Sequence, residues 1–462
     1  MRDRSRGFLY GLMAVVLAGV PAGVAGQERL AIVGGYLIDG TEGVPVEDAV
    51  VLVEGDRITH VGTVTDTEIP RDARVIDANG YTIMPGLSDA HVHTMIVGHG
   101  VYDEYFPKYE SRFREIMPIS SRELLMAGVT SARDLGAPLS DIVWLKGEIE
   151  AGRVIGPRLF ISGPFLQHSL PGGRGTSYDS SIQDSFRWTV NGERDARRKT
   201  RQLIDAGVDL IKVIQIAALS PAERAAIVDE ARKAGKHIAV HASTVEEVRV
   251  AAEMGAGSIE HMGGRPFSLY PEESVELMAS NGIMASVTSV VSRIYDITTE
   301  WPERLDSPQL REDLPADVYA DVRRSLEFFS RLNYFSGAKN SNAHHAQKVR
   351  QLYENGVQLV VGTDSGTPMN FHFESTWQEM ALFVDYGIPP MKVISMATRV
   401  PALLYGVYRD LGTIEPGKLA DIIVVDGNPL RDMSVLRQSN VVHVIKGGVL
   451  YKESGAPALA GF

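Results

Sequence analysis

Gly207-Val208-Asp209-Leu210-Ile211-Lys212-Val213, then Gly235-Lys236-His237-Ile238-Ala239-Val240-His241, then Gly257-Ser258-Ile259-Glu260-His261: three times in succession a glycine opens a short apolar run with a lysine or histidine at or near its end. Helix-length stretches separate the runs. A glycine in the left-handed region closes a helix, and the apolar run behind it reads as a strand buried on both faces. Working outward, the same unit recurs at Ala127-Gly128-Val129-Thr130, Gly156-Pro157-Arg158-Leu159-Phe160-Ile161, Gly282-Ile283-Met284-Ala285-Ser286-Val287 and Gly356-Val357-Gln358-Leu359-Val360-Val361-Gly362. With the run from Tyr81 to His93 taken as the first, there are eight. Alternating strands and helices predict a parallel sheet. Eight units predict a closed (β/α)8 TIM-like barrel in the α/β class, with an open doubly wound sheet as the alternative.

Both ends of the chain differ from this middle. Ala31 to Gly40, Ala49 to Val53, Ile58 to Val61 and Arg74 to Asp77 read as short strands with Asp-Gly and Glu-Gly-Asp turns, and no helical period shows before about Ser120. Near the other end, Ala420 to Gly427 and Val441 to Tyr451 repeat that pattern. Two or three strands are marginal alone, so the ends are expected to pair. The expected organisation is a small composite β-sandwich from residues 27–83 and 411–455 beside a barrel over residues 84–410.

The chain has 462 residues, a formal net charge of −12 and no cysteine. Such acidity disfavours nucleic acid and anionic membrane surfaces as partners. The lack of cysteine removes disulfides, thiolate zinc sites and iron–sulfur clusters, leaving His and carboxylate to hold any metal. Arg2, Arg4 and Arg6 precede an apolar run from Phe8 to Val20 and the small residues Ala22 to Gly26. This reads as a secretory signal over residues 1–26, too short for a comfortable span. Its removal takes away three Arg and one Asp, moving the charge from −12 to −14. A periplasmic or secreted protein without stable membrane insertion is expected.

In such a barrel, function gathers where strands end. Those ends carry His91 and His93, then Lys212, His241, His261 and Asp364. His91 and His93 stand two apart on one strand, so both rings leave the same face. One strand–helix unit separates His241 from His261, which places them on neighbouring strands. Imidazole and carboxylate are ligands suited to zinc. Lys212 ends an apolar strand, where its tip either snorkels to the rim, pairs with a carboxylate, or is carboxylated into an oxygen ligand. Asp364 serves either as a ligand or as a helix N-cap.

That order of residues resembles the amidohydrolase superfamily. So do Met84-Pro85-Gly86-Leu87-Ser88-Asp89-Ala90-His91-Val92-His93, the run from Gly128 to Gly136, Ser258 to His261, and the run from Leu411 to Asp421. The likeness covers residues 30 to 452 and is nearest the imidazolonepropionase-like branch, with its Xaa-Pro dipeptidases and carboxypeptidases. It implies two zinc ions per chain, held by His91, His93, His241, His261 and Asp364 and bridged by carboxylated Lys212. It also implies hydrolysis of an amide, in a dipeptide or N-acyl amino acid, with Asp364 shuttling the proton. The same site would serve a cyclic amide, lactone or phosphoester. A silent metal-binding scaffold is a third reading. Many dipeptidases of the branch carry Tyr two residues after the His matching His241; here that position is Ser243.

Substrate contacts are expected on three long loops, Thr94 to Pro118, Phe165 to Asn191 and Ser292 to Ala346. The last holds Arg293, Tyr295, Trp301, His344 and His345, with a helix near Ala316 to Leu332. Arg174, His168 and Tyr178 are undecided between substrate contact and solvent. The sandwich and the loop helices offer surfaces for a homo-oligomer.

Overall fold

The computed structural model describes residues 29–168, 185–242, 244–261, 269–342 and 344–459. Parallel strands Leu87–Val92, Val129–Asp134 and Arg158–Ile161 form one arc of the barrel; Ile211–Val213, Ile238–His241, Ser258–Glu260 and Met284–Ser286 form the other. The arcs meet on one side where Asp209 N–H donates to Ile161 O (2.8 Å). On the other side, residues 358–365 fill the eighth place. They are no continuous strand but a line of backbone bonds. Val360 N–H donates to Ala285 O, Ala90 N–H to Val361 O, and Asp364 N–H to His91 O. Gly362 sits in this segment because a Cβ there would lie 2.4 Å from Ser286 Oγ.

The run from Tyr81 to His93, expected as one strand, is broken at Gly86. Thr82–Pro85 pairs antiparallel with Ile422–Val425 of the end sheet, and Leu87–Val92 starts the barrel. A side chain at Gly86 would strike Thr130, 2.1 Å from its Oγ1. The two ends make a single nine-stranded sheet, which folds over its own core of Ile32, Val51, Ile83, Ile422 and Ile445. Backbone bonds from Ile58 to Lys418 and from Ala420 to Asp56 stitch its far edge back to the middle.

Of the glycines expected to cap helices, Gly128, Gly207, Gly235, Gly282 and Gly356 have positive φ. Gly156 and Gly257 do not; those caps are Gly152 and Gly255. Gly257 is needed for space, since a Cβ would lie 2.9 Å from the His237 Cβ. The capping box at Ser220 shows local chemistry setting a boundary: Ser220 Oγ accepts from Glu223 N–H while the Glu223 carboxylate accepts from Ser220 N–H.

The expected long loops are mostly helical. Tyr102–Tyr109 and Phe113–Met126 replace the first, burying Tyr105, Phe106, Tyr109, Phe113, Ile116 and Met117 at spacings of three and four. That stripe lay ahead of the point where the sequence was expected to turn helical. Ser289–Glu300, Pro308–Asp313, Ala316–Leu326 and Asn333–Asn342 build the third. The second begins and ends in the paired parallel strands Phe165–His168 and Arg187–Val190. No helix among the described residues is long and apolar enough to cross a membrane.

Candidate metal centre and active site

The strands bring His91, His93, Lys212, His241, His261 and Asp364 into one cavity of about 490 Å³. His91 and His93 leave the same face of the first barrel strand, their rings 5.4 Å apart. The His261 ring lies 4.7 Å from His91 and 4.3 Å from His241. Four residues just beyond strand ends have left-handed backbones: Gln215, His261, Thr288 and Asp364, with φ from 47° to 66°. Each such residue costs about 1–3 kcal/mol, and such strain collects at functional sites. For His261 and Asp364 it accompanies side chains on the cavity wall. No helix begins at Asp364, which removes the N-cap reading; the next helix starts at Ser375.

Three imidazoles of the cavity are fixed through Nδ1. His91 Nδ1 is 2.9 Å from Glu260 Oε2, His93 Nδ1 3.2 Å from Gly136 O, and His261 Nδ1 3.0 Å from Thr288 Oγ1. A carboxylate and a carbonyl accept only, so His91 and His93 donate through Nδ1 and turn Nε2 inward. Asp364 Oδ1 stands 3.1 Å from His93 Nε2 and 3.3 Å from His91 Nε2. The second approach lacks hydrogen-bond geometry, and His91 Nε2 is buried with no hydrogen-bond partner among the described residues. Ligand atoms of His91, His261 and Asp364 all lie within 4.8 Å of one another. Three inward donors on one point, one of them unsatisfied, suit a divalent cation.

Charge and burial favour the same reading. Burial, then the Lys212 charge, pushes His241 down to about 3, and burial with His241 holds His261 well below its usual value. Both rings are neutral at pH 7, as ligands must be. Burial raises the Asp364 carboxyl, but His91 and His93 overcome this and keep it ionised. Lys212 is 2% exposed, and its Nζ has no hydrogen-bond partner among the described residues. It does not snorkel, and it pairs with no carboxylate among the described residues. Burial drives its ammonium down to about 8, so much of it is free amine at mildly alkaline pH.

Sequence reasoning missed the layer beneath. Arg133, fully buried, donates to Ala90 O, Ser258 Oγ and Glu260 Oε1 (2.6, 2.9 and 2.7 Å), tying barrel strands one, two and six together. Asp134 accepts from Thr94 and from Gly136 N–H, fixing the carbonyl that orients His93. Asp89 accepts from Thr363 Oγ1 and Thr376 Oγ1, anchoring the loop that carries Asp364. The signal was available: charged residues inside apolar strands, in runs already singled out.

Of the loop residues, Arg293 pairs with Asp296, Tyr295 packs on Phe329, and Trp301 is on the surface away from this cavity. His345 is buried against Ser289 Oγ, His344 is exposed, and His168 lies 4.0 Å from Glu223. None of these lines the cavity; Tyr102, Phe106, Phe165, Phe186, Arg187 and Tyr334 do. Residues 1–26, Arg174, Tyr178 and Ser243 lie outside the described residues.

The sequence profile described as the Amidohydrolase family matches residues 82–451. The ochratoxinase of Aspergillus niger is 27% identical over 467 aligned positions, covering 92% of this chain and 87% of the relative. A 5-methylthioadenosine/S-adenosylhomocysteine deaminase of Caldanaerobacter subterraneus subsp. tengcongensis is 24% identical, covering 83% of this chain and 81% of its own. The solved structure of a Xaa-Pro dipeptidase with methionine bound in its active site superposes with a TM-score of 0.73 at 26% identity. That match covers 92% of this chain and all of the other.

Proposed function

This chain belongs to the amidohydrolase family, an enzyme family of hydrolases acting on C–N bonds of small molecules, and from that premise we propose that it hydrolyses the amide of a dipeptide or N-acyl amino acid. The observation that carries the reading is Asp364, ionised and within hydrogen-bond reach of His93, on the wall of a cavity that can seat a small amide. His91, His93, His241, His261 and Asp364 would hold two divalent cations, zinc by their chemistry, with Lys212 as a further ligand. Lys212 would serve as an anionic oxygen ligand once its free amine adds to carbon dioxide, forming an N–C bond and releasing a proton. Bound there, the cations would supply Lewis acidity, polarising a carbonyl and lowering the pKa of water from about 15.7 towards 7.

The chain's own part is positioning and proton transfer. Glu260 and the Gly136 carbonyl hold His91 and His93 in one tautomer and one orientation. Asp364 takes the proton of the attacking water and passes it to the departing amine as the C–N bond breaks. The aromatic walls exclude bulk water and strengthen each charge interaction inside. Export over a cleaved signal of residues 1–26 belongs to this proposal, supported by the sequence pattern alone; N-terminal sequencing of the protein from the medium or periplasm tests it.

The functional test is amine release by protein reconstituted with zinc and bicarbonate, from X-Pro and X-hydrophobic dipeptides, N-acyl amino acids, hydantoins, lactones and a phosphotriester. Turnover of linear amides, lowered about 10²–10⁴-fold in Asp364→Asn, is expected. Turnover confined to rings or esters would move the assignment to those substrates.

A further inference from the structure

We infer that Asn370 is the positioning residue for Asp364, its carboxamide nitrogen clamping the backbone carbonyls on both sides of the aspartate and so holding it in the left-handed region. This rests on the amide-hydrolase reading above for what Asp364 does; the clamp itself stands on geometry.

Asp364 stands at a φ of 59°, a region that aspartate enters more readily than most residues but still as the exception. Something must hold it. Peptide units are planar, so the two rotations at Asp364 set the unit before it against the unit after it. The carbonyls of those units are Thr363 O and Asp364 O, and Asn370 Nδ2 donates to both, at 2.8 and 3.0 Å. With one amide across them, neither rotation is free. Carbonyls accept only, which fixes the nitrogen on their side and turns Oδ1 to the hydroxyl of Ser375, at the start of the helix Ser375–Asp385. The Asn370 side chain is fully buried, and its backbone is tied in twice: Asn370 N–H donates to Thr367 O, and Gly366 N–H to Asn370 O.

Among the described residues, the neighbours of this clamp do less. Thr367 donates to Asp364 O through N–H and Oγ1, and so reaches the second carbonyl alone. Asp89 holds Thr363 by its N–H and Oγ1 and touches neither carbonyl. Asp364 N–H is engaged by His91 O, which ties the backbone of one rim residue to the strand of another. The carboxylate that results stands 3.1 Å from His93 Nε2. A turn at the Asp364 Cα would swing that whole group, and a displacement of about 1 Å at a reacting group costs about 100-fold in rate.

The test uses Asn370→Leu, which keeps similar volume and loses the donors, and Asn370→Ser, which is too short to reach both carbonyls. Ile32→Ala, in the core of the end sheet, controls for lost stability alone. In crystal structures of the Asn370 variants, Asp364 should leave the left-handed region and its carboxylate should move from His93 by about 1 Å. With the preferred amide, kcat should fall about 100-fold while KM stays within about 3-fold, because substrate binding is left alone. Ile32→Ala should melt lower by circular dichroism yet keep kcat within about 2-fold, as a distant and independent site. Should neither Asn370 variant fold, Ser375→Ala decides, since it keeps every donor but frees the carboxamide to turn; the same displacement of Asp364 is expected there. Asp364 unmoved in a folded variant, or a kcat no lower than that of Ile32→Ala, overturns the inference. Should wild type turn over no amide, the amide-hydrolase reading falls, and the position of Asp364 in the variant structures decides the clamp by itself.

Discussion

Replacing Arg133 with methionine tests the buried layer that holds the ligands. The side chain is 0% exposed and sits against Glu260, itself 0% exposed, at 2.7 Å. Burial raises the Glu260 carboxyl, yet Arg133 and then His91 hold it well below the usual range. Methionine fills similar volume but leaves that carboxylate inside the barrel without its cation. Breaking a buried pair from one side costs about 3–5 kcal/mol. At about 2.1 cal/mol/K of unfolding entropy per residue, a chain of 462 residues gains or loses about 1 kcal/mol per degree. Chelated protein should therefore melt about 3–5 °C lower in scanning calorimetry. Glu260→Met alone should cost a similar amount by stranding Arg133. The double variant should recover most of the loss, because an apolar pair of similar volume replaces two charges together. Zinc affinity, read by chelator competition, should fall about 10–100-fold in Arg133→Met, since Glu260 orients His91. Melting within a degree of wild type, or single losses that simply add in the double variant, would refute the reasoning.

Asp364→Asn should keep the fold by circular dichroism while turnover of the preferred amide falls about 10²–10⁴-fold, the usual weight of a positioned acid–base group. Gly366→Ala places a Cβ 2.5 Å from His93 O at a φ of 96°, so it should cost about 1–3 kcal/mol in urea unfolding. Its loss of activity should be about 10²-fold, because the loop carrying Asp364 must shift. Glu379 accepts from Ser289 and Val290 N–H, and burial pushes its carboxyl from 4.5 up to about 8. An acid with a raised folded pKa contributes stability that is full below about 4.5 and lost as pH rises through about 8. Glu379→Gln should flatten the fall in Tm between pH 5 and 8, seen by comparing melts of the two proteins. Chelation itself should lower the wild-type Tm by about 4 °C where metal stands at about 1,000 times its Kd, since that occupancy is worth about 4.1 kcal/mol.

The barrel was legible because its units repeat a local rule. Gly207-to-Val213 and Gly235-to-His241 each show the helix stop and the apolar strand within a few residues. The eighth place was harder, because residues 358–365 pair by separate bonds that no strand propensity records. Tyr81-to-His93 misled for a related reason. Both halves are extended and apolar, and only the contact of Gly86 with Thr130, far along the chain, divides them. The helix Tyr102–Tyr109 carries Pro107 inside it, and the next carries Pro118, so its spacing of aromatic residues competed with two breakers.

The six rim residues could be picked out singly, since each is a lysine, histidine or aspartate where a strand ends. What they rest on could not. Arg133, Glu260 and Asp134 stand inside strands, and their use depends on which strand is neighbour to which; Arg133 meets Glu260 across 127 positions. A buried charge is costly unless paired, so Arg133 and Glu260 in otherwise apolar strands already imply partners, and an eight-stranded order restricts where those can stand. Strands two and six are not adjacent in that order. Their charges can meet only across the barrel interior, directly below His91, which makes the ion pair both a brace for the barrel and the seat of the ligand above it.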